Sequence, residues 1–182
     1  GRCWMFAGLN VCRSDTRTLL KVKDFEFSQN YLMFWDKLER ANFVLEAIIE
    51  TADKPLDDRT VSWLLQAPIS DGGQWDMFTA LVTKHGVVPK TAMPETESSG
   101  NSARLNSSLN YQMRQGAKSI REAYAGEAGI DELRRIKTGV LKVVHDILCI
   151  HLGTPPTIID WQWKDKDGEF TRVGKLTPLE FA

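Results

Sequence analysis

The sequence predicts an α+β chain, helical through most of its length and followed by a β-hairpin. Three observations predict it. Apolar residues recur at helical spacing, between capping residues and glycines, as far as Leu152. From Ile158 onward the pattern becomes strand-like around a turn at Asp165-Lys166-Asp167-Gly168. Ahead of both, Cys3-Trp4 stands at the mouth of the first amphipathic stretch.

That stretch predicts a helix from about Cys3 to Asn10 and somewhat beyond, with Phe6, Leu9 and Val11 on its buried side. Ser28 suits the N-cap of a long second helix. There Tyr31, Leu32, Trp35, Leu38, Leu45, Ile48 and Ile49 form the apolar stripe, with charges between them. Asp57 or Asp58 caps a shorter helix through Val61, Leu64 and Leu65 that stops before Pro68. Asp71-Gly72-Gly73 breaks the chain, and a helix through Trp75, Phe78, Leu81 and Val82 follows. Lys84 and His85 suit its last turn, and Gly86 its left-handed cap.

Residues 89–103, with Pro89, Pro94 and a Gly100-Asn101 pair, are expected to form an exposed crossing loop. Two helices follow near 103–125 and 131–152, separated by Gly126 and Gly129 and stopped by Gly153-Thr154-Pro155-Pro156. In the hairpin, Ile158, Ile159, Trp161 and Trp163 precede the turn, and Phe170 and Val173 follow it. Thr177-Pro178-Leu179-Glu180 is a capping box with proline at the first helical position. A helix begun so near Ala182, and a cysteine so near Gly1, lead us to expect that both termini are cut.

Composition narrows the function. At 182 residues, 42% hydrophobic and 26% charged, the chain can bury one substantial core. A net charge of −1 gives no electrostatic footprint for nucleic acid or an anionic membrane. No apolar run approaches the roughly 20 residues of a membrane span, and no secretory leader is expected ahead of Cys3. Three cysteines are an odd number for a disulfide framework, which points to a reducing, cytoplasmic setting. Asn106-Ser107-Ser108 is then a chance match to a glycosylation acceptor.

Cys3 is the chemical candidate. Thiolates are the nucleophiles of cysteine hydrolysis, and a helix N-terminus favours the thiolate. Gly1 permits close approach of another backbone, and Met5-Phe6-Ala7 would anchor the helix behind the thiol. The competing reading makes Cys3 a small buried hydrophobe in a non-catalytic helical interaction module. Cys12 and Cys149 lie in apolar helical stretches and are expected to be structural.

His85 is expected to serve its helix C-terminus, and His145 and His151 to be structural. His145 and Cys149, one turn apart, are too few ligands for a metal site. Asp165-Lys166-Asp167-Gly168-Glu169 lacks the later bidentate glutamate of a calcium loop. No metal or cofactor is expected. Arg114, Lys118, Arg121, Arg134, Arg135 and Lys137 are expected to form a solvated helical face.

Residue identities add a resemblance. Gly1-Arg2-Cys3-Trp4 with Met5-Phe6-Ala7 resembles the nucleophile signature of papain-like cysteine peptidases, and Gly-Arg before the cysteine resembles the bleomycin hydrolase and aminopeptidase C branch. Blocks of that branch recur in order: Phe27-Ser28-Gln29-Asn30-Tyr31, Asp71-Gly72-Gly73-Gln74-Trp75-Asp76-Met77, Gly86-Val87-Val88-Pro89-Lys90, Met93-Pro94-Glu95-Thr96 and Thr177-Pro178-Leu179-Glu180-Phe181.

The resemblance implies a papain-like fold, in which a helical nucleophile lobe faces a β-rich lobe carrying histidine and asparagine. It divides the chain into a nucleophile lobe at 1–100, a family-type helical insertion at 101–154 and the start of the β-rich lobe at 155–182. It implies an intracellular aminopeptidase acting on peptides and assembled as a homohexamer. Cys3 would be the nucleophile, with Trp4 as its supporting neighbour. Asp71, Gly72 and Gly73 would bind an extended substrate through backbone that lacks Cβ atoms at the glycines. The family's oxyanion glutamine would precede residue 1, and its histidine and asparagine would follow Ala182.

Overall fold

The computed structural model describes residues 2–182, so the close approach expected at Gly1 lies outside the described residues. Helix α1 spans Cys3–Leu20, α2 Gln29–Glu50, α3 Arg59–Gln66, α4 Trp75–His85, α5 Glu97–Gly100, α6 Ala103–Ala125 and α7 Ile130–Leu152. Strands β1 (Ile159–Lys164) and β2 (Phe170–Leu176) form an antiparallel hairpin, and α8 covers Pro178–Phe181. The expected α+β class stands, and so does the element order apart from the short α5, which falls in the stretch expected to be a loop. The chain forms two compact units, one of Gly1–Trp35, Asp71–Ser99 and Leu152–Ala182, the other of Asp36–Ser70 and Gly100–His151. This grouping differs from the three-part division read from the sequence, because residues 36–70 cluster with the long helices rather than with α1.

In the first unit, Met5, Gly8 and Leu9 are the buried residues of α1. Phe6 and Val11, expected inside, are exposed. So is Cys12, which the sequence placed in a structural, apolar setting. The reason is the length of α1: beyond Leu9 it runs through Arg13, Ser14, Asp15, Thr16 and Arg17 and buries none of them. Ser28 caps α2 as expected, its hydroxyl accepting from the Tyr31 amide at 3.0 Å and donating to the Met93 carbonyl at 2.5 Å.

The stretch expected as an exposed loop is exposed at Lys90, Thr91, Pro94, Glu95 and Glu97 but anchored at three points. Pro89, Met93 and Ser99 are buried, and Phe27 and Pro89 form a β-bridge. Two backbone bonds frame that bridge, Ser28 N to Val88 O and Lys90 N to Glu26 O, each 2.9 Å. The hairpin is held to α1, where the Trp163 indole donates to the Leu20 carbonyl at 3.1 Å and the Lys166 amide to Lys21 O at 2.8 Å. Its turn closes on Asp165, whose carboxylate accepts from the amides of Asp167 and Glu169.

Gly86 ends α4 with φ +73° and ψ −163°, a glycine conformation outside the left-handed cap expected. A Cβ there would lie 2.1 Å from the Pro178 carbonyl oxygen, while the next amide, Val87 N, donates to that same oxygen at 3.2 Å. Pro178 follows Thr177, whose capping box with Glu180 is complete.

The second unit is built on apolar stripes. Leu105, Leu109, Met113, Ala117 and Ile120 line one face of α6, and Leu133, Val140, Val144 and Leu148 line α7. From α2 come Ala41, Leu45 and Ile48, and α3 adds Val61 and Leu64 under the cap of Asp58.

Of the cations expected on a solvated face, Arg114, Lys118, Arg134 and Arg135 are exposed, and several of the six also tie down backbone or a carboxylate. Arg114 donates to the Leu65 and Gln66 carbonyls at 2.9 and 2.7 Å, satisfying the open C-terminal end of α3. Arg121 does the same for the turn after α2, reaching the carbonyls of Thr51 and Lys54. Arg134 and Lys137 converge on Glu46 at 2.7 and 2.6 Å, and Lys137 then Arg134 hold its carboxyl below the usual range. Lys118 and Arg135 remain on the surface, paired with Glu122 and Glu132. Lys37, 1% exposed, donates to the Ser70 carbonyl at 2.7 Å.

Two outcomes follow from these contacts. Gly86→Ala places a strained side chain against backbone that cannot yield, so it should cost about 2 kcal/mol or more and lower Tm by about 4 °C or more. Glu46 has a depressed pKa in the folded state, so its contribution is full above the ordinary glutamate value and fades as pH falls through the folded one. The Tm gap between the native protein and Glu46→Gln should therefore shrink between about pH 6 and about pH 3. A gap that widens on acidification contradicts this.

Candidate active site at the start of helix α1

Cys3 occupies the first helical position of α1. Arg2 is the N-cap, and its carbonyl accepts from the amides of Met5 and Phe6 at 3.0 and 3.1 Å. No side chain at the cap bonds this turn. Cys3 is exposed while Met5 behind it is 1% exposed, so the helix is rooted in the core and presents its first turn to solvent. The positive end of the helix dipole favours negative charge at that position. The buried-cysteine reading is thus corrected for Cys3 as it was for Cys12.

The Asp71-Gly72-Gly73 segment lies beside this turn. The Trp4 indole Nε1–H donates to the Asp71 carbonyl at 2.9 Å. A Cβ on Gly73 would sit 2.4 Å from Trp4 Cε2, inside the ring's contact surface. One turn further along α1, the bare Cα of Gly8 rests on the Phe78 ring of α4. The two glycines of the pair therefore differ. Gly73 is bare because Trp4 covers it, whereas a Cβ on Gly72 would meet nothing within 4 Å. The resemblance implies one duty for both glycines; the structure separates them, with the Trp4 ring against Gly73 and no atom where a Cβ on Gly72 would stand.

Next to Cys3 in the chain, the Arg2 guanidinium forms a forked ion pair with Glu95, at 3.1 and 2.8 Å. Burial works to raise the Glu95 pKa but is outweighed by the hydrogen bonds of Arg2 and Ser99 and the charges of Arg2 and Lys90, leaving the carboxyl below the usual range. Glu95 belongs to a motif the sequence singled out, but a pairing across 93 positions has no local signal.

The histidines stand elsewhere. His85 stacks on Trp35 with centroids 4.1 Å apart, and its carbonyl accepts from the Tyr31 hydroxyl. His145 lies 3.7 Å from the Cys149 sulfur and equally near its neighbour Asp146. Among the described residues no group of three or more His, Cys, Asp or Glu side chains could hold a metal, and all three cysteines are free. No helix among them is long and apolar enough to cross a membrane.

The model of the peptidase C1-like family matches residues 1–182. This chain belongs to that family. Over its whole length, this peptidase C1-like chain is 48% identical to aminopeptidase C of Listeria monocytogenes, covering 40% of that protein. It is 42% identical to rabbit bleomycin hydrolase, covering 66% of it, and 41% identical to human bleomycin hydrolase, covering 40%. A crystal structure of PepW from Lactobacillus rhamnosis superposes with a TM-score of 0.97 at 46% identity, over all of this chain and 41% of that one. The chain thus spans about two fifths of the length of most of these relatives, and its papain-like α+β fold is that of the family.

The unequal glycines give a direct check. Gly73→Ala must displace the Trp4 indole and should cost about 1–3 kcal/mol, whereas Gly72→Ala should stay within about 0.5 kcal/mol of the native protein. Equal thermal shifts for the two variants would contradict the arrangement.

Proposed function

We propose that this chain carries the nucleophile lobe of a cysteine aminopeptidase that removes N-terminal residues from peptides. One observation carries the reading: an exposed cysteine at the first position of a core-rooted helix, whose next residue, Trp4, donates to the carbonyl of Asp71 in the Asp71-Gly72-Gly73 segment. The names of the relatives, aminopeptidase C and bleomycin hydrolase, point the same way.

In this reading the Cys3 thiolate attacks the scissile carbonyl carbon, and the oxyanion accepts from the Cys3 backbone N–H. An imidazolium gives its proton to the leaving amine as the C–N bond breaks, leaving a thioester. Water, losing a proton to the imidazole, then attacks the thioester, and breaking the C–S bond returns the thiolate. By family resemblance the imidazole, its orienting asparagine and the oxyanion glutamine come from positions outside residues 1–182. His85 is committed to its stack on Trp35 and makes a poor substitute. The isolated segment is therefore expected to have no turnover. Gly72 would pair with the main chain of an extended peptide. A cytoplasmic setting and a homohexameric assembly complete the proposal, both from family resemblance.

The alternative, a helical interaction module with a structural cysteine, requires Cys3 to be buried, and it is exposed. Alkylation by iodoacetamide, read by peptide mapping so that Cys3 is separated from exposed Cys12, tests the choice. In this segment Cys3 should react no faster than a free thiol. In the complete protein it should react rapidly at low pH, where a free thiol is protonated. Equally slow labelling in both would defeat the assignment.

A further inference from the structure

The first turn of α1 must hold Cys3 still, yet no side chain at the cap bonds it. What ties it down is tertiary. Arg2 is 13% exposed in its side chain, sends Nη1 to Glu95 Oε1 and Nη2 to Oε2, and lies with Cζ 5.3 Å from the centre of the Phe6 ring. A guanidinium that meets a carboxylate through two parallel bonds resists both sliding and rotation, which a single-point contact does not.

The anchor is itself fixed on both sides. Upstream, the Met93 and Pro94 carbonyls accept from Ser28 Oγ at 2.5 Å and Asn30 Nδ2 at 2.8 Å, donors that are 2% and 0% exposed. Downstream, buried Ser99 gives its hydroxyl to Glu95 Oε2 at 2.5 Å, and its amide donates to Thr96 Oγ1 at 3.1 Å. Glu95 is thus a rigid post on a strap sewn to the start of α2, and Arg2 is the tie from that post to the nucleophile's turn.

We propose that Arg2 is a positioning residue: through its forked pair with Glu95 it fixes the first turn of α1 and with it the place of the Cys3 sulfur. This rests on Cys3 being the nucleophile. The neighbouring backbone supports the role, since the carbonyl of Arg2 is the acceptor for the amides of Met5 and Phe6 and any shift of residue 2 moves the whole turn. The guanidinium does not serve as a bare positive charge for the thiolate, because both terminal nitrogens are turned to Glu95, whose charge balances it. The effect of the pair is on geometry, and misplacement of a reacting atom by about 1 Å costs on the order of 100-fold in rate.

The test uses the complete natural protein carrying these residues and an aminoacyl amide with a fluorogenic leaving group. Arg2→Met and Glu95→Gln should each lower kcat by about 10- to 100-fold with KM within about 2-fold. Arg2→Lys should fall between them and the native protein, and the exchange Arg2→Glu/Glu95→Arg should recover most of the lost kcat. The pH dependence of Cys3 alkylation should stay in place in every variant. If Arg2→Met does not fold, Arg2→Lys and Glu95→Gln carry the comparison.

A kcat within about 2-fold of native in the folded variants overturns the proposal. So does a rate loss that only follows a lowered Tm, or one explained by a displaced alkylation profile. Activity that survives Cys3→Ser defeats the nucleophile assignment instead, and so separates the two failures.

Discussion

The candidate site depends on one close approach, the Trp4 indole against the bare Cα of Gly73. A ring at that distance admits no Cβ, so the segment before α4 must be glycine where Trp4 meets it. The indole N–H then locks the register through the Asp71 carbonyl. Gly8 on the Phe78 ring repeats the principle one turn deeper, so α1 is matched once to the segment before α4 and once to α4 itself. Because interiors are close-packed and yield little, two such contacts set the register of α1 against the segment that carries Gly72 and Gly73.

Around that register the chain relies on polar groups to tie irregular backbone. Ser28 and Asn30 hold the carbonyls of residues 93 and 94, while Arg114 and Arg121 hold the ends and turns of helices in the second unit. Buried carbonyls outside regular ladders need donors, and long side chains supply them across large sequence separations. Lys37 is the clearest case. On a helix face it reads as a solvated charge, yet it is buried and donates to the Ser70 carbonyl.

Local chemistry was legible wherever it closed within a few residues. The caps at Ser28, Asp58 and Thr177 were readable because donor and acceptor lie within one turn, and the hairpin turn because Asp165 serves its own neighbours. Phe6, Val11 and Cys12 were misread because a stripe of apolar residues does not say where along a helix its partner ends. Between 89 and 99 the irregular, partly exposed backbone was legible, but proline, serine and threonine do not say that Pro89, Met93 and Ser99 are buried as its anchors.

The sequence by itself determined the α+β class, the order of the elements, the family, and Cys3 and the diglycine as the residues to examine, since each is written in patterns of periodicity, capping or motif order. Tertiary structure decided that Cys3 is exposed, that Gly73 answers to Trp4 while Gly72 does not, and that Arg2 is tied to Glu95. These are contacts between residues far apart in the chain. Their existence is set by how the core places its surfaces, and no local pattern encodes that.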